Sequence, residues 1–97
     1  MINASVAIQV LPQVGGDELF AVVDRVIAYI KGTGLNAVVG PFETTVEGDF
    51  DELMELVKRC QHICIEAGAP GVMSFVKIHY DPHNGVPTIA QKTAKHR

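Results

Sequence analysis

The densest group of residues that could do chemistry is a polar run at positions 43–48, with the sequence ETTVEG. Because side chains of a strand alternate between its two faces, Glu43, Thr45 and Glu47 would share one face and Thr44 would lie on the other. Carboxylates accept hydrogen bonds from amino groups or protonated ring nitrogens, and hydroxyls orient a ligand. The run therefore indicates a polar pocket for a small molecule. Alternatively, the threonines simply favour a strand and Glu47 solvates its end.

Other residue types with chemical potential lack the partners they would need. His79 and His83 flank a proline turn, but no third ligand lies at a fixed spacing, so we expect no metal site. Ser5 and Ser74 have no histidine or acid at a spacing typical of an activated nucleophile. We therefore expect no catalytic residues, no enzyme activity and no cofactor.

Composition and charge restrict the classes of partner. The 97 residues fit one domain, residues 1–97, and 47% of them are hydrophobic. The formal net charge is −3, and basic residues concentrate only in the tail after Lys92, so a nucleic-acid partner is disfavoured. No apolar run approaches the roughly 20 residues of a membrane span. The N-terminus has no basic region followed by a cleavable apolar segment.

Cys60 and Cys64 lie four residues apart within a helical pattern, which places both thiols on one helix face. That face continues an apolar stripe, so we expect reduced, buried thiols rather than a disulfide. Together with the absence of a targeting segment, this predicts a cytoplasmic protein.

Hydrophobic periodicity predicts the elements that position the polar run. Alternation indicates strands, and apolar stripes at helical spacing indicate helices. Asp17 is expected to cap the first helix, Asp49 and Glu52 have the spacing of a capping box for the second, and Thr88 with Gln91 indicates a short last helix. The predicted strands are Ala4–Leu11, Asn36–Gly40, Phe42–Glu47 and Val72–Tyr80.

The resulting order, β-α-β-β-α-β, predicts an α+β fold of the ferredoxin-like type. Right-handed crossovers favour a four-stranded antiparallel sheet in the order 4-1-3-2, with both long helices on one face and the short helix at the C-terminus. The other face would then be open. On the last strand, Val76 and Ile78 are expected to point to the helices, and Met73, Phe75, Lys77 and His79 to point away.

The open face would carry large apolar side chains, among them Leu11, Met73 and Phe75. A patch of this kind is uncommon on a monomer. The sequence therefore predicts self-association, as a dimer or as a tetramer built from dimers that meet through their sheets.

Several segments resemble the small thiamine-binding protein family over essentially the whole chain. The most specific is Thr44-Thr45-Val46-Glu47-Gly48, within the segment that starts Gly40-Pro41-Phe42-Glu43. The resemblance is also carried by three further stretches: Ser5-Val6-Ala7-Ile8-Gln9-Val10-Leu11-Pro12, Asp51-Glu52-Leu53-Met54, and Thr88-Ile89 with Lys92 and Arg97.

The resemblance implies a ferredoxin-like fold, dimers or tetramers formed through the sheets, and non-catalytic binding of thiamine or its hydroxymethylpyrimidine portion. Within the motif, Thr44, Thr45 and Glu47 become the predicted ligand-binding residues, with Ser5 and Gln9 on the adjacent strand. A carrier, buffer or sensor of that ligand is the favoured function. The alternatives are a structural or regulatory homo-oligomer that binds a different metabolite or none, and an unrecognised enzyme.

Overall fold

A computed structural model describes residues 2–96. The strands form one antiparallel sheet in the order β2-β3-β1-β4, which confirms the predicted 4-1-3-2 order. The strands are β1 (Ala4–Pro12), β2 (Asn36–Val39), β3 (Thr44–Gly48) and β4 (Val72–Tyr80). The helices are α1 (Asp17–Gly32), α2 (Phe50–Glu66) and α3 (Ile89–Thr93), and a 3-10 turn follows at Ala94–His96.

The core lies between the sheet and the two long helices. Four alternate residues of β1 face the helices and are buried, because β1 pairs with β3 on one side and β4 on the other. They are Ala4, Val6, Ile8 and Val10. Helix α2 contributes Leu53, Leu56 and Ile63 to the same core.

Cys60 and Cys64 are free and buried in α2, as the helical spacing predicted. Burial, and the nearby Cys64 sulfur, raise the pKa of the Cys60 thiol to about 12. Burial also raises the pKa of Cys64. Both thiols therefore stay protonated at neutral pH and are poor nucleophiles, since the thiolate is the reactive form.

Of the three predicted helix caps, one forms in full, one forms in part and one does not form. Asp49 caps α2 and accepts hydrogen bonds from the backbone N–H groups of Asp51 and Glu52, but within residues 2–96 the Glu52 side chain does not return the bond that would complete a capping box. Thr88 and Gln91 form a reciprocal capping box at α3. The predicted cap at Asp17 is wrong: Gly16 occupies the cap position at φ 59°, and Asp17 is the first helical residue. A glycine tolerates this left-handed backbone, so the chain can enter α1 without a side-chain cap.

The burial expected for one residue of β4 also needs correction. Ile78 pairs with Val6 and so lies on the helix-covered side of the sheet, as predicted, but it is 52% exposed. At the same end of β4, Tyr80 stacks on Phe50, the first residue of α2, with 4.0 Å between the ring centroids. In residues 2–96, no helix has the length and apolar character needed to cross a membrane.

Candidate functional site

Strand β3 distributes the polar run between the two sides of the sheet. Thr44 pairs with Ile8, a core residue, and therefore lies on the helix-covered side. Thr45 pairs with Ala7 and Glu47 with Ser5, so these side chains lie on the open side. The predicted site residues are thus close along the chain but separated by the sheet itself.

On the helix-covered side, a cavity of about 280 Å³ lies between α1 and the sheet. Its floor includes Ile8, Val10 and Thr44, and Gln9 borders it. At one end it meets the connection between β2 and β3, where Pro41 and Phe42 contribute to the wall. The lining is largely apolar, and the volume is near the lower limit of about 300 Å³ for ligand pockets.

The cavity is lined by residues from two apolar stripes of α1. Val22, Val26 and Ile30 are buried in the core, and Val26 and Ile30 also line the cavity. A second stripe at the same four-residue spacing is only half-buried, and each of its members lines the cavity: Leu19, Val23 and Ile27. Sequence periodicity predicted one buried stripe on this helix and did not reveal the cavity.

The Thr44 hydroxyl is the notable polar group of this cavity. Thr44 is 6% exposed, and within residues 2–96 its side chain has no hydrogen-bond partner. Within residues 2–96, every side-chain nitrogen or oxygen that is sealed from solvent has a hydrogen-bond partner. The Thr44 hydroxyl has no partner, so it is not sealed and can be reached from the cavity. A hydroxyl that is accessible and has no protein partner is available to donate or accept a hydrogen bond from a ligand in the cavity.

A tight turn holds the rim of the cavity. The backbone N–H of Gly40 donates to the carbonyl of Glu43 at 2.9 Å, with Pro41 and Phe42 at the tip. A Cβ atom at position 40 would lie 2.8 Å from that carbonyl oxygen, so the turn needs glycine there. The backbone at Phe42 is consequently well defined, although the ring itself is largely exposed.

On the open side, a second pocket of about 210 Å³ contains the other predicted residues Ser5 and Thr45. Its remaining polar lining consists of three basic or titratable side chains, Lys77, His79 and Lys92. Ser5 is only 5% exposed, although β1 directs it to the open face. Lys92 of α3 lines this pocket, so the C-terminal segment lies over this end of the face.

Glu47 connects the C-terminal segment to the sheet. One carboxylate oxygen accepts a hydrogen bond from the Asn36 side chain at 3.1 Å, and the other accepts from the backbone N–H of Ile89. Glu47 is 8% exposed, so the alternative in which it only solvates a strand end is wrong. Sequence reasoning had no signal for the Ile89 contact, which spans 42 residues.

The turn after β4 directs the chain back toward this contact. The Asp81 carboxylate accepts hydrogen bonds from the backbone N–H groups of Asn84 and His83, at 2.9 and 3.0 Å. These bonds hold the pKa of Asp81 below its ordinary value. The Val86 N–H then donates to the Ile2 carbonyl, and Val86 is buried.

Residues 6–97 match the family model described as thiamine-binding protein. The chain belongs to the thiamine-binding protein family. A UPF0045 protein of Clostridium perfringens is 48% identical over 97 residues, which cover the whole of both chains.

Two solved structures are similar to this chain in both fold and sequence, and they support its membership of the family. A DUF77 domain of unknown function from Bacillus cereus is 40% identical with a TM-score of 0.90, covering 99% of this chain and 91% of that one. A Thermotoga maritima protein with a suggested role in thiamine biosynthesis or salvage is 37% identical with a TM-score of 0.86, covering 98% and 99%. A thiamine-related role and an α+β fold are therefore properties of this family.

Proposed function

We propose that this protein binds thiamine, or its hydroxymethylpyrimidine portion, in the cavity between α1 and the sheet, and does not alter it chemically. The observation that carries the proposal is the Thr44 hydroxyl, which is buried, unpartnered within residues 2–96 and reachable from a largely apolar cavity. Family membership supplies the class of ligand.

The chemistry of an aminopyrimidine suits this arrangement. Its exocyclic amino group donates hydrogen bonds and its ring nitrogens accept them, and a hydroxyl can serve either group. The flat ring needs apolar walls, which the half-buried stripe of α1 supplies through Val23 and Ile27. Thr44 would then provide orientation, and the burial of the ring would provide most of the affinity.

The open-side pocket is a poorer fit for thiamine. Thiamine is a permanent cation, whereas Lys92 lines that pocket and would repel it. Lys77 also lines the pocket, but its charge is largely compensated by Glu43 at 3.1 Å. The Glu47 oxygens already accept bonds from Asn36 and Ile89. In this proposal Glu47 therefore holds the C-terminal segment in place. Of the other predicted binding residues, Thr44 keeps its role, whereas Thr45, Ser5 and Gln9 occupy strand positions on the open side and do not bind the ligand.

A non-catalytic, cytoplasmic role is part of the same proposal. The Ser74 hydroxyl donates to Gln61 rather than to a histidine or a carboxylate, and burial keeps both cysteine thiols protonated. These features support binding without a nucleophilic step. Two free thiols are in keeping with a reducing compartment.

Self-association through the open face is also proposed. Leu11 pairs with Met73, and Phe75 is the next outward residue of β4, so three large apolar side chains adjoin. They are 38%, 54% and 57% exposed, in that order. A second copy, related by a twofold axis, would cover the patch with the same patch of its own.

Isothermal titration calorimetry with thiamine and with free hydroxymethylpyrimidine tests the binding proposal. We expect saturable binding of both, with one ligand per chain. Oxythiamine, in which an oxygen replaces the amino group, serves as the matched control and should bind more weakly because the amino donor is lost. Absence of heat with thiamine and with the pyrimidine at millimolar concentration would contradict the proposal.

A further inference from the structure

Two exposed phenylalanines border the mouth of the cavity from opposite elements. Phe20 lies on α1 and is 71% exposed, and Phe42 lies at the tip of the β2–β3 turn and is 78% exposed. Both line the same cavity. Phe20 is the residue next to the half-buried stripe of α1, and Phe42 is two residues before Thr44. The two rings therefore stand at the entrance, beyond the polar group on the floor.

The two rings do not cover each other. Among residues 2–96, Phe50 and Tyr80 form the aromatic pair, and Phe20 and Phe42 do not stack. Exposed phenylalanine faces are energetically unfavourable in water, and covering them with a ligand removes that cost. Both rings are therefore available to cover the faces of a flat ring that enters the cavity.

The charges around the entrance favour a cationic ring. Asp17 and Asp24 lie three residues before and four residues after Phe20, so they are its neighbours on the α1 surface, and both are exposed. Glu43 also borders the cavity, but its carboxylate pairs with Lys77 at 3.1 Å and is largely compensated. The uncompensated local charge near Phe20 is therefore negative.

We propose that Phe20 and Phe42 form an aromatic clamp for the cationic thiazolium ring of thiamine, while the pyrimidine ring occupies the cavity beside Thr44. This inference rests on the proposed function. A cation is attracted to the negative face of an aromatic ring, and this attraction strengthens when the pair is shielded from water. The clamp would make the protein discriminate thiamine, which has the cation, from free hydroxymethylpyrimidine, which lacks it.

The test replaces each phenylalanine with a residue of similar apolar character but without a ring. Phe20→Leu and Phe42→Leu should each weaken thiamine binding by about three- to tenfold. The affinity for hydroxymethylpyrimidine should change by less than about twofold, because that ligand does not reach the clamp. Phe20→Tyr and Phe42→Tyr are the matched controls, and they should keep the wild-type preference for thiamine because the aromatic face is retained.

The outcomes separate this inference from the proposed function. If wild type binds thiamine but the leucine variants weaken both ligands equally, the phenylalanines are only an apolar wall and the clamp is wrong. If the leucine variants change the molar mass by light scattering and leave both affinities intact, the rings serve a protein contact and the clamp is again wrong. If wild type binds neither ligand, the proposed function fails and the clamp fails with it.

Discussion

On the helix-covered side of β3, the Thr44 hydroxyl faces a cavity and has no partner within residues 2–96. On the open side, both oxygens of Glu47 are engaged by Asn36 and Ile89. The two residues are three apart in one polar run and are almost equally buried. Burial therefore does not distinguish a ligand-binding group from a structural one, but the state of its hydrogen bonds does.

The surroundings of Thr44 and Glu47 also favour a ligand on the helix-covered side of the sheet rather than on the open side. The cavity on the helix-covered side has apolar walls and aromatic residues at its mouth, which suits a flat ring. The open side combines basic side chains around one pocket with an apolar patch at the other end of the sheet. We interpret the first side as the binding side and the second as the side that holds the C-terminal segment and a second copy of the chain.

The largest expected effect concerns the apolar patch on the open side. Phe75→Glu should convert the proposed oligomer to a monomer, because an unpaired carboxylate buried in the contact would cost about 3–5 kcal/mol. Light scattering at a fixed protein concentration measures the molar mass. Ile65→Glu is the control, because Ile65 is a similarly exposed apolar residue, 49% exposed, that lies on α2 rather than on the open face of the sheet. Thiamine affinity should be unchanged in both variants. A monomeric wild type would refute the predicted self-association.

A smaller effect is expected when Glu47 loses its charge. Glu47→Gln should lower the free energy of unfolding by about 1.5–3 kcal/mol, because one acceptor is lost and hydrogen bonds to a charged group are among the stronger ones. Urea denaturation measures it. Glu66→Gln is the matched control: that carboxylate pairs with Arg59 at the solvent-exposed surface, so its replacement should change the free energy of unfolding much less than Glu47→Gln does.

The same variant decides between the two roles of Glu47. If it holds the C-terminal segment, thiamine affinity should stay within about twofold of wild type. A ten- to hundredfold loss of affinity with little change in stability would instead restore the ligand contact that the motif predicted for Glu47.

The sequence was sufficient for those features that depend on local periodicity. Period-two alternation placed Thr44 and Thr45 on opposite faces, and four-residue spacing placed Cys60 and Cys64 in the core. Ile78 was assigned to the correct side of the sheet, yet it is half exposed. Alternation specifies the side of a sheet but not how completely that side is covered.

Features that depend on distant parts of the chain were not predictable in the same way. The contact between Glu47 and Ile89 joins residues 42 apart, and nothing in the local pattern distinguishes this carboxylate from a solvated one. The cavity depends on how α1 and the β2–β3 connection pack against the sheet, and the sequence shows Leu19, Val23 and Ile27 only as further apolar residues. Both features arise from tertiary packing.

The smallest expected effect comes from a pair of variants that each change one side chain, one on each side of β3. This pair is also the most direct test of the comparison between the two sides. Thr44→Val and Thr45→Val both replace a hydroxyl by a methyl group of similar size in adjacent residues of the same strand. Thr44→Val should weaken thiamine and hydroxymethylpyrimidine binding by about 0.5–1.5 kcal/mol, roughly two- to twelvefold, since a typical hydrogen bond is lost. Thr45→Val should leave both affinities unchanged, because its side chain lies on the open side.

Valine favours a strand as threonine does, so both variants should fold, and circular dichroism checks this. The reverse result, with affinity lost only in Thr45→Val, would move the ligand to the open side and the pocket beside Lys77 and Lys92.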